Sequence, residues 1–339
     1  MPRVLVTGIG GAIGTHMLAH LMHNTDWDIV GLDSFRHKGY TCRISELLQA
    51  HPDWAPRLEI LTHDLSAPLD NPTKRMIGEV DYCINLASLS DVYASIEEPA
   101  NFIENNVSIM VNMMEWAREK DGLKAFLHFS TDEVYGPTAG DSGGHKEWDT
   151  LLPSNPYSAS KACQEMIGVS YWRSFGVPLV ITNTMNNFGE MQAPSKYPSM
   201  VQEKVLAGEK VEVHVSSDGE IGSRYYLHSR NAADATLFIL QNTTPHLHTP
   251  GSFDRPDRYN IVGDLQLDNL ELAKVIARLL GRDLDYELVD FHSDQPGHDL
   301  HYGLDGTKLS ELGWEPPVSF EESLLNTINW TIEHPEWRL

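Results

Sequence analysis

Ser130-Thr131-Asp132-Glu133-Val134-Tyr135-Gly136 sets two carboxyl groups side by side, and Tyr157 follows with Lys161 four residues later. A spacing of four places the tyrosine and lysine on one helix face. A lysine ammonium beside a phenol favours phenolate, and a phenolate can take the proton of an alcohol while hydride leaves for an acceptor. Two carboxyl groups in a dry cleft resist joint ionisation, so one keeps its proton near neutrality while the other is a base. Such a pair can expel water. Their titrations are coupled, and the separate values are not assignable from sequence.

The hydride acceptor is read from the N-terminus. Thr7-Gly8-Ile9-Gly10-Gly11-Ala12-Ile13-Gly14 follows a short apolar run and opens an apolar-periodic helix. Gly8 permits the turn, Gly11 admits a pyrophosphate and Gly14 lets helix and strand approach. The spacing is G-x-x-G-x-x-G rather than the commoner G-x-G-x-x-G. Asp33, about 20 residues on, suits the ribose hydroxyls of NAD and repels a 2′-phosphate. Arg36 and Lys38 leave NADP open. Asp64-Leu65 can meet the adenine edge, although Asp64 also reads as a turn or cap residue. Leu86-Ala87-Ser88 is expected along the cofactor.

These groups need a scaffold. Apolar runs at 3–7, 28–33, 58–62, 82–86, 125–130 and 178–183 alternate with helical patterns, most clearly 13–22, 101–119 and 157–175. Strand and helix in alternation predict an α/β fold of Rossmann type, a doubly wound parallel sheet. After Asn186 proline, glycine and short elements dominate. The chain is therefore read as a dinucleotide-binding domain over 1–186 and a smaller α+β substrate lobe over 187–339, with some elements crossing back.

The chain has 339 residues and 48 acidic against 25 basic side chains, a net charge of −23. That balance argues against nucleic acid or an anionic membrane as partner. An anionic substrate then needs a local basic pocket. No apolar run approaches the ~18 residues of a membrane span. The three cysteines, Cys42, Cys83 and Cys163, read as free thiols in a reducing compartment, and the start Met1-Pro2-Arg3 reads as lacking a signal peptide. The expected location is the cytoplasm. His16, His20 and His23 share one face of the first helix and read as a solvated face; no metal is expected there or at His246 and His248.

With these motifs in place, the chain resembles the extended short-chain dehydrogenase/reductase family, and within it the nucleotide-sugar 4,6-dehydratases. The resemblance also rests on Asn155-Pro156-Tyr157-Ser158-Ala159-Ser160-Lys161, Thr182-Asn183, Asn186-Asn187-Phe188-Gly189, Pro296-Gly297-His298-Asp299 and Leu312-Gly313-Trp314. The Asp-Glu pair separates dehydratases from epimerases, which lack it, and from decarboxylases, which keep the glutamate alone.

The resemblance implies roles. Thr131 orients the sugar, Asp132 is the acid, Glu133 the base, and Tyr157 with Lys161 serves hydride transfer at C4. Water leaves across C5 and C6, and hydride returns to C6. The cofactor set becomes Gly8, Gly11, Ala12, Ile13, Gly14, Asp33 and Ser34, with Asp64, Leu65, Leu86, Ala87, Ser88, Asn105, Tyr157, Lys161 and Asn187. The substrate set becomes Ser90, Thr131, Asn186, Lys196 and Tyr197, with Val213, Arg224, Asn260, His298 and Asp299. Arg224 is the expected diphosphate clamp. A nucleoside-diphosphate hexose is the implied substrate, NAD the cofactor and a homodimer through helices 101–119 and 157–175 the assembly.

Where such dehydratases usually read A-A-E-S-H-V-D-R-S, this chain departs at Leu89, Asp91, Tyr93 and Ala94. The segment borders cofactor and sugar, so base and sugar stay open between dTDP- and UDP-glucose-like compounds. A 4-epimerase, another dehydratase of the same fold and a non-catalytic NAD-binding scaffold remain as alternatives.

Overall fold

The computed structural model describes residues 1–138, 143–290, 297 and 299–337. The first half runs β1 (Arg3–Thr7), α1 (Ala12–Asn24), β2 (Asp28–Asp33), α2 (Thr41–Ala50), β3 (Leu58–Thr62) and α3 (Asn71–Ile77). It continues with β4 (Tyr82–Asn85), α4 (Val92–Glu97), α5 (Pro99–Ala117), β5 (Ala125–Thr131), α6 (Pro156–Phe175) and β6 (Leu179–Thr184). The second half holds β7 (Asn186–Phe188), α7 (Tyr197–Ala207), β8 (Val211–Val215), β9 (Ser223–His228) and α8 (Ser229–Asn242). It ends with β10 (Asp257–Ile261), β11 (Gln266–Asp268), α9 (Asn269–Leu279), β12 (Tyr286–Asp290), α10 (Thr307–Glu311) and α11 (Phe320–Glu333).

Seven parallel strands form one sheet in the order β10-β6-β5-β4-β1-β2-β3. This is the Rossmann-type arrangement expected from the alternating pattern. Alternation along each strand feeds two cores. Val4 and Val6 of β1 join the core shared with α1 and α8, while Leu5 joins the core under α5 and α6. Strand order reverses at β1, whose neighbours are β2 and β4, and the crevice beyond the strand ends opens there.

β10 lies far along the chain yet pairs with β6, so the second half completes the first half's sheet. The remaining strands form a three-stranded sheet, β11-β9-β7, and a two-stranded one, β12-β8. A third apolar core lies beneath them, around Phe188, Val213, Leu272 and Phe320.

The helix that carries Tyr157 and Lys161 has unambiguous ends. Asn155 caps it in a reciprocal box with Ser158, Pro156 occupies the first turn, and Gly176 closes it in the left-handed region at φ 70°. No described helix is long and apolar enough to cross a membrane.

Candidate active site

The glycine loop is held by close contacts. Gly8 adopts φ 69°, and a Cβ on Gly14 would stand 2.1 Å from the Gly8 carbonyl oxygen. No side chain caps the first turn of α1, so its N–H groups remain available to an anion. Asp33 ends β2 and accepts from Gly10 N (2.9 Å) and Phe35 N (2.9 Å). Ser34 follows it, half-buried. Asp64 pairs with Arg36 at 2.7 Å and accepts from Ser66. Partial burial would raise its pKa, but those bonds and Arg36 hold the carboxyl below its ordinary value.

Leu65 is buried, and Leu86, Ala87 and Ser88 line the end of β4, where Thr7 Oγ1 accepts from Leu86 N and Ala87 N. Asn105 donates to Asn106, which in turn grips Leu89 through both its amide and carbonyl groups. Asn187 donates to Thr184 Oγ1 and Met185 O, and its own Oδ1 is buried without a hydrogen-bond partner.

The carboxyl pair sits at the end of β5. Thr131 Oγ1 donates to Asp132 Oδ1 at 2.9 Å. Asp132 is buried, and its Oδ2 has no hydrogen-bond partner. Glu133 is half-buried and accepts from Asn155 Nδ2 at 3.1 Å. Burial pushes Asp132 up to about 6. Burial and the neighbouring Asp132 charge push Glu133 up to about 7. Between about 6 and about 7 on the pH scale the two carry about one proton between them. Arg224 draws both values back, and Lys196 draws Glu133 back as well.

Tyr157 and Lys161 are both buried on α6. Burial first, then the charges of Glu133 and Asp132, pushes the Tyr157 phenol upward, while Thr131 acts the other way. The expectation that Lys161 draws this phenol down is therefore corrected for the chain alone. The Lys161 ammonium is bound to Phe129 O at 2.8 Å, and burial lowers its own pKa to about 7.

The expected substrate residues differ in their exposure and partners. Ser90 and Asn186 are exposed. Lys196 precedes α7, and burial lowers its pKa while Asp91 and Glu133 oppose that effect. Arg224 donates to Asp299 O (2.7 Å), Ser223 O (2.7 Å) and Leu300 O, and lies over the Tyr302 ring. Its fork is thus largely engaged with backbone. Asp299 Oδ2 is buried without a hydrogen-bond partner.

Tyr197 donates to Asn269 O. Val213 is fully buried in the core around Phe188 and Leu272, and Asn260 is fully buried with its amide on His145 O and Asp305 O. The structure gives neither of these two side chains an open face. His298 lies outside the described residues, as do Gln295 and Pro296.

The departing segment also has partners. Asp91 caps α4 through Ala94 N (3.1 Å) and pairs with Lys38 at 2.7 Å. Sequence reasoning passed over Asn155, Ser95 and Asn106 as individual site residues. Ser95 Oγ accepts from Tyr157 N, and Asn106 Nδ2 donates to Ser160 Oγ. Only the cap position of Asn155 before Pro156 carried a local signal.

The three histidines of α1 do not all lie on a solvated face. His20 is buried against Asp234, while His23 is exposed and meets His51 and Trp54 edge-on. His16 meets Glu190 O (3.2 Å) and lies edge-on to His228. His16, Glu190 and His228 have ligand atoms within 4.8 Å of one another. However, His228 Nδ1 accepts from Arg230 N, so its Nε2 carries the proton and donates to Glu190 Oε2 at 3.1 Å. That tautomer makes the cluster a hydrogen-bonded clasp between α1 and the second half of the chain.

Comparison with known proteins follows the same lines. The family described as GDP-mannose 4,6 dehydratase matches residues 5–327. The dTDP-glucose 4,6-dehydratase of Escherichia coli is 29% identical over 99% of this chain and 95% of its own length. The low-salt glycan biosynthesis protein Agl12 of Haloferax volcanii is 31% identical over 98% of this chain and 99% of its own. A crystal structure of DesIV, a dTDP-glucose 4,6-dehydratase from Streptomyces venezuelae with NAD bound, superposes with a TM-score of 0.84 at 30% identity, covering 99% and 98% of the two chains. With a glycine cradle, a Tyr/Lys helix and adjoining acids on one sheet edge, this chain belongs to the GDP-mannose 4,6 dehydratase family of extended short-chain dehydrogenase/reductases.

Proposed function

We propose that this chain is an NAD-dependent nucleotide-sugar 4,6-dehydratase, a hydro-lyase that turns a dTDP- or UDP-glucose-like compound into its 4-keto-6-deoxy product. The observation that carries the reading is the Asp132–Glu133 pair, one acid buried and the other half-buried, raised to about 6 and about 7 at the strand end facing Tyr157.

The uncapped N-terminus of α1, with Gly8, Gly11 and Gly14 behind it, fits a pyrophosphate, and Asp33 fits a ribose diol. When bound, NAD supplies a hydride acceptor and later the donor, so the reaction has no net redox change. Tyr157 removes the C4 hydroxyl proton, and Thr131 orients the sugar. The C4 ketone acidifies C5–H, which Glu133 removes while Asp132 protonates the departing C6 hydroxyl. In the chain alone the higher value belongs to Glu133, so the shared proton has to pass to Asp132 before that step. The charges of Lys196 and Arg224 act on the pair, and in this reading the two cations receive the substrate's phosphates. The lobe after residue 186 grips the nucleotide.

Two further features belong to this reading. Ile103 and Val111 on α5 and Met166 and Phe175 on α6 are exposed, which supports a homodimer through these two packed helices. Cys42, Cys83 and Cys163 are all unpaired, which supports a reducing compartment, the cytoplasm.

The test is incubation with dTDP-glucose and UDP-glucose, with products followed by mass. Loss of about 18 mass units, one expelled water, is the expected result. An unchanged mass with inverted C4 would make the chain an epimerase. No turnover despite bound NAD would make it a scaffold.

A further inference from the structure

Glu165 lies one helical turn beyond Lys161 and two beyond Tyr157, on the same face of α6. It is 0% exposed. A carboxylate so placed needs a counter-charge. Arg258 of β10, also 0% exposed, supplies it at 2.5 Å. Asn183 of β6 fixes the other oxygen at 2.8 Å and, with the same amide, holds Thr131 O at 3.0 Å. One buried carboxylate thus joins the lysine's helix, the strand end that bears the acid pair and the strand borrowed from the second half. Nothing in the proposed reaction uses it.

We propose that Glu165 is a positioning residue: held by Arg258 and Asn183, it keeps the Lys161 ammonium charged and in place beside the reacting hydroxyl. The inference rests on the dehydratase reading for its purpose but not for its test.

The surroundings of Lys161 support the assignment. From β5 it faces Phe129 O, which accepts its proton, and His128, which burial holds neutral. From β10 comes the Arg258 cation, already bound to Glu165 and to Tyr135 OH. From its own helix come Tyr157 and Glu165. Among the described residues, Glu165 is the charge that acts to keep Lys161 protonated against the cost of burial. Tyr135 extends the frame, since its hydroxyl donates to Glu147 O at 3.0 Å. The Arg258 guanidinium is stacked over Trp148 at 4.1 Å, so the carboxylate's partner is itself immobilised.

The test is NMR titration of the Lys161 amine in full-length, 15N-lysine-labelled protein, with the resonance assigned by Lys161→Arg. In Glu165→Gln the midpoint is expected to fall by about one pH unit or more, and in Glu165→Asp to return toward the parent value. If Glu165→Gln does not fold, Glu165→Gln combined with Arg258→Met removes both charges, a replacement buried ion pairs tolerate. Its midpoint should fall as well. A midpoint that stays put in a folded variant overturns the inference, whether or not the chain turns over any nucleotide sugar. A second readout is the pH profile of C4 oxidation: its alkaline limb, where the Lys161 charge is lost, should move to lower pH in Glu165→Gln. A merely structural residue would lower the rate at every pH and leave the limb in place.

Discussion

Asn155 binds the Glu133 carboxylate through its amide nitrogen and the first turn of α6 through its amide oxygen, at 3.1 and 2.9 Å. One side chain therefore sets both the end of the Tyr/Lys helix and the charge of the proposed base. Asn155→Ala should cost about 1 kcal/mol as a lost helix cap, read by thermal unfolding. It should also move the acid limb of the dehydration pH profile upward, because the bond it deletes favours ionised Glu133. A limb that does not move would separate Asn155 from the chemistry.

The acid pair should weaken the fold. Burial raises both carboxyls in the folded chain, so folding retains protons that the unfolded chain releases. The associated stability is complete below the ordinary carboxyl range and is lost as pH rises through about 6 and about 7. Asp132→Asn with Glu133→Gln should therefore melt at higher temperature than the parent at pH 8. The advantage should shrink toward pH 4, at roughly 1.4 kcal/mol for each pH unit of displacement. Equal melting at both pH values would mean the pair is solvated.

Glu133→Gln separates the stages of the reaction. It should still allow partial reduction of bound NAD, seen as nicotinamide absorbance on adding substrate, while dehydrated product falls by about 100-fold or more. Normal product formation would remove Glu133 from the mechanism.

The clasp of His16, Glu190 and His228 predicts acid sensitivity. Burial, then His228, lowers His16 to about 4. Between its ordinary value and about 4 the unfolded chain binds a proton that the folded chain does not, so stability falls as pH drops through that window. His16→Gln should flatten the dependence of melting temperature on pH there. An unchanged slope would place the acid sensitivity elsewhere.

Gly14→Ala tests the cofactor cradle. Its Cβ would stand 2.1 Å from Gly8 O, against backbone that cannot turn away. The variant should purify with little NAD, measured by release on heat denaturation. Parental NAD content would sink the assignment of this loop.

Local features were legible in the sequence. The loop from Gly8 to Gly14 and the cap-proline start of α6 depend on neighbours in the chain, and both stand where their spacing put them. The parallel sheet followed from apolar runs between helical patterns. Long-range features were not legible. Arg258 meets Glu165 across 93 residues, and His16 meets Glu190 across 174, so no window of sequence joins them. The direction at Tyr157 was misread because burial and the acid pair, invisible in a Y-x-x-x-K spacing, outweigh one lysine.

β10 closes the outer edge of the seven-stranded sheet. During synthesis, Leu179–Thr184 emerges long before its neighbour Asp257–Ile261. Until that later segment leaves the ribosome, a strand that begins Leu179-Val180-Ile181 presents bare amide and carbonyl groups to other nascent chains. Cutting the gene between the lobes would make that condition permanent, and the isolated first half is expected to self-associate.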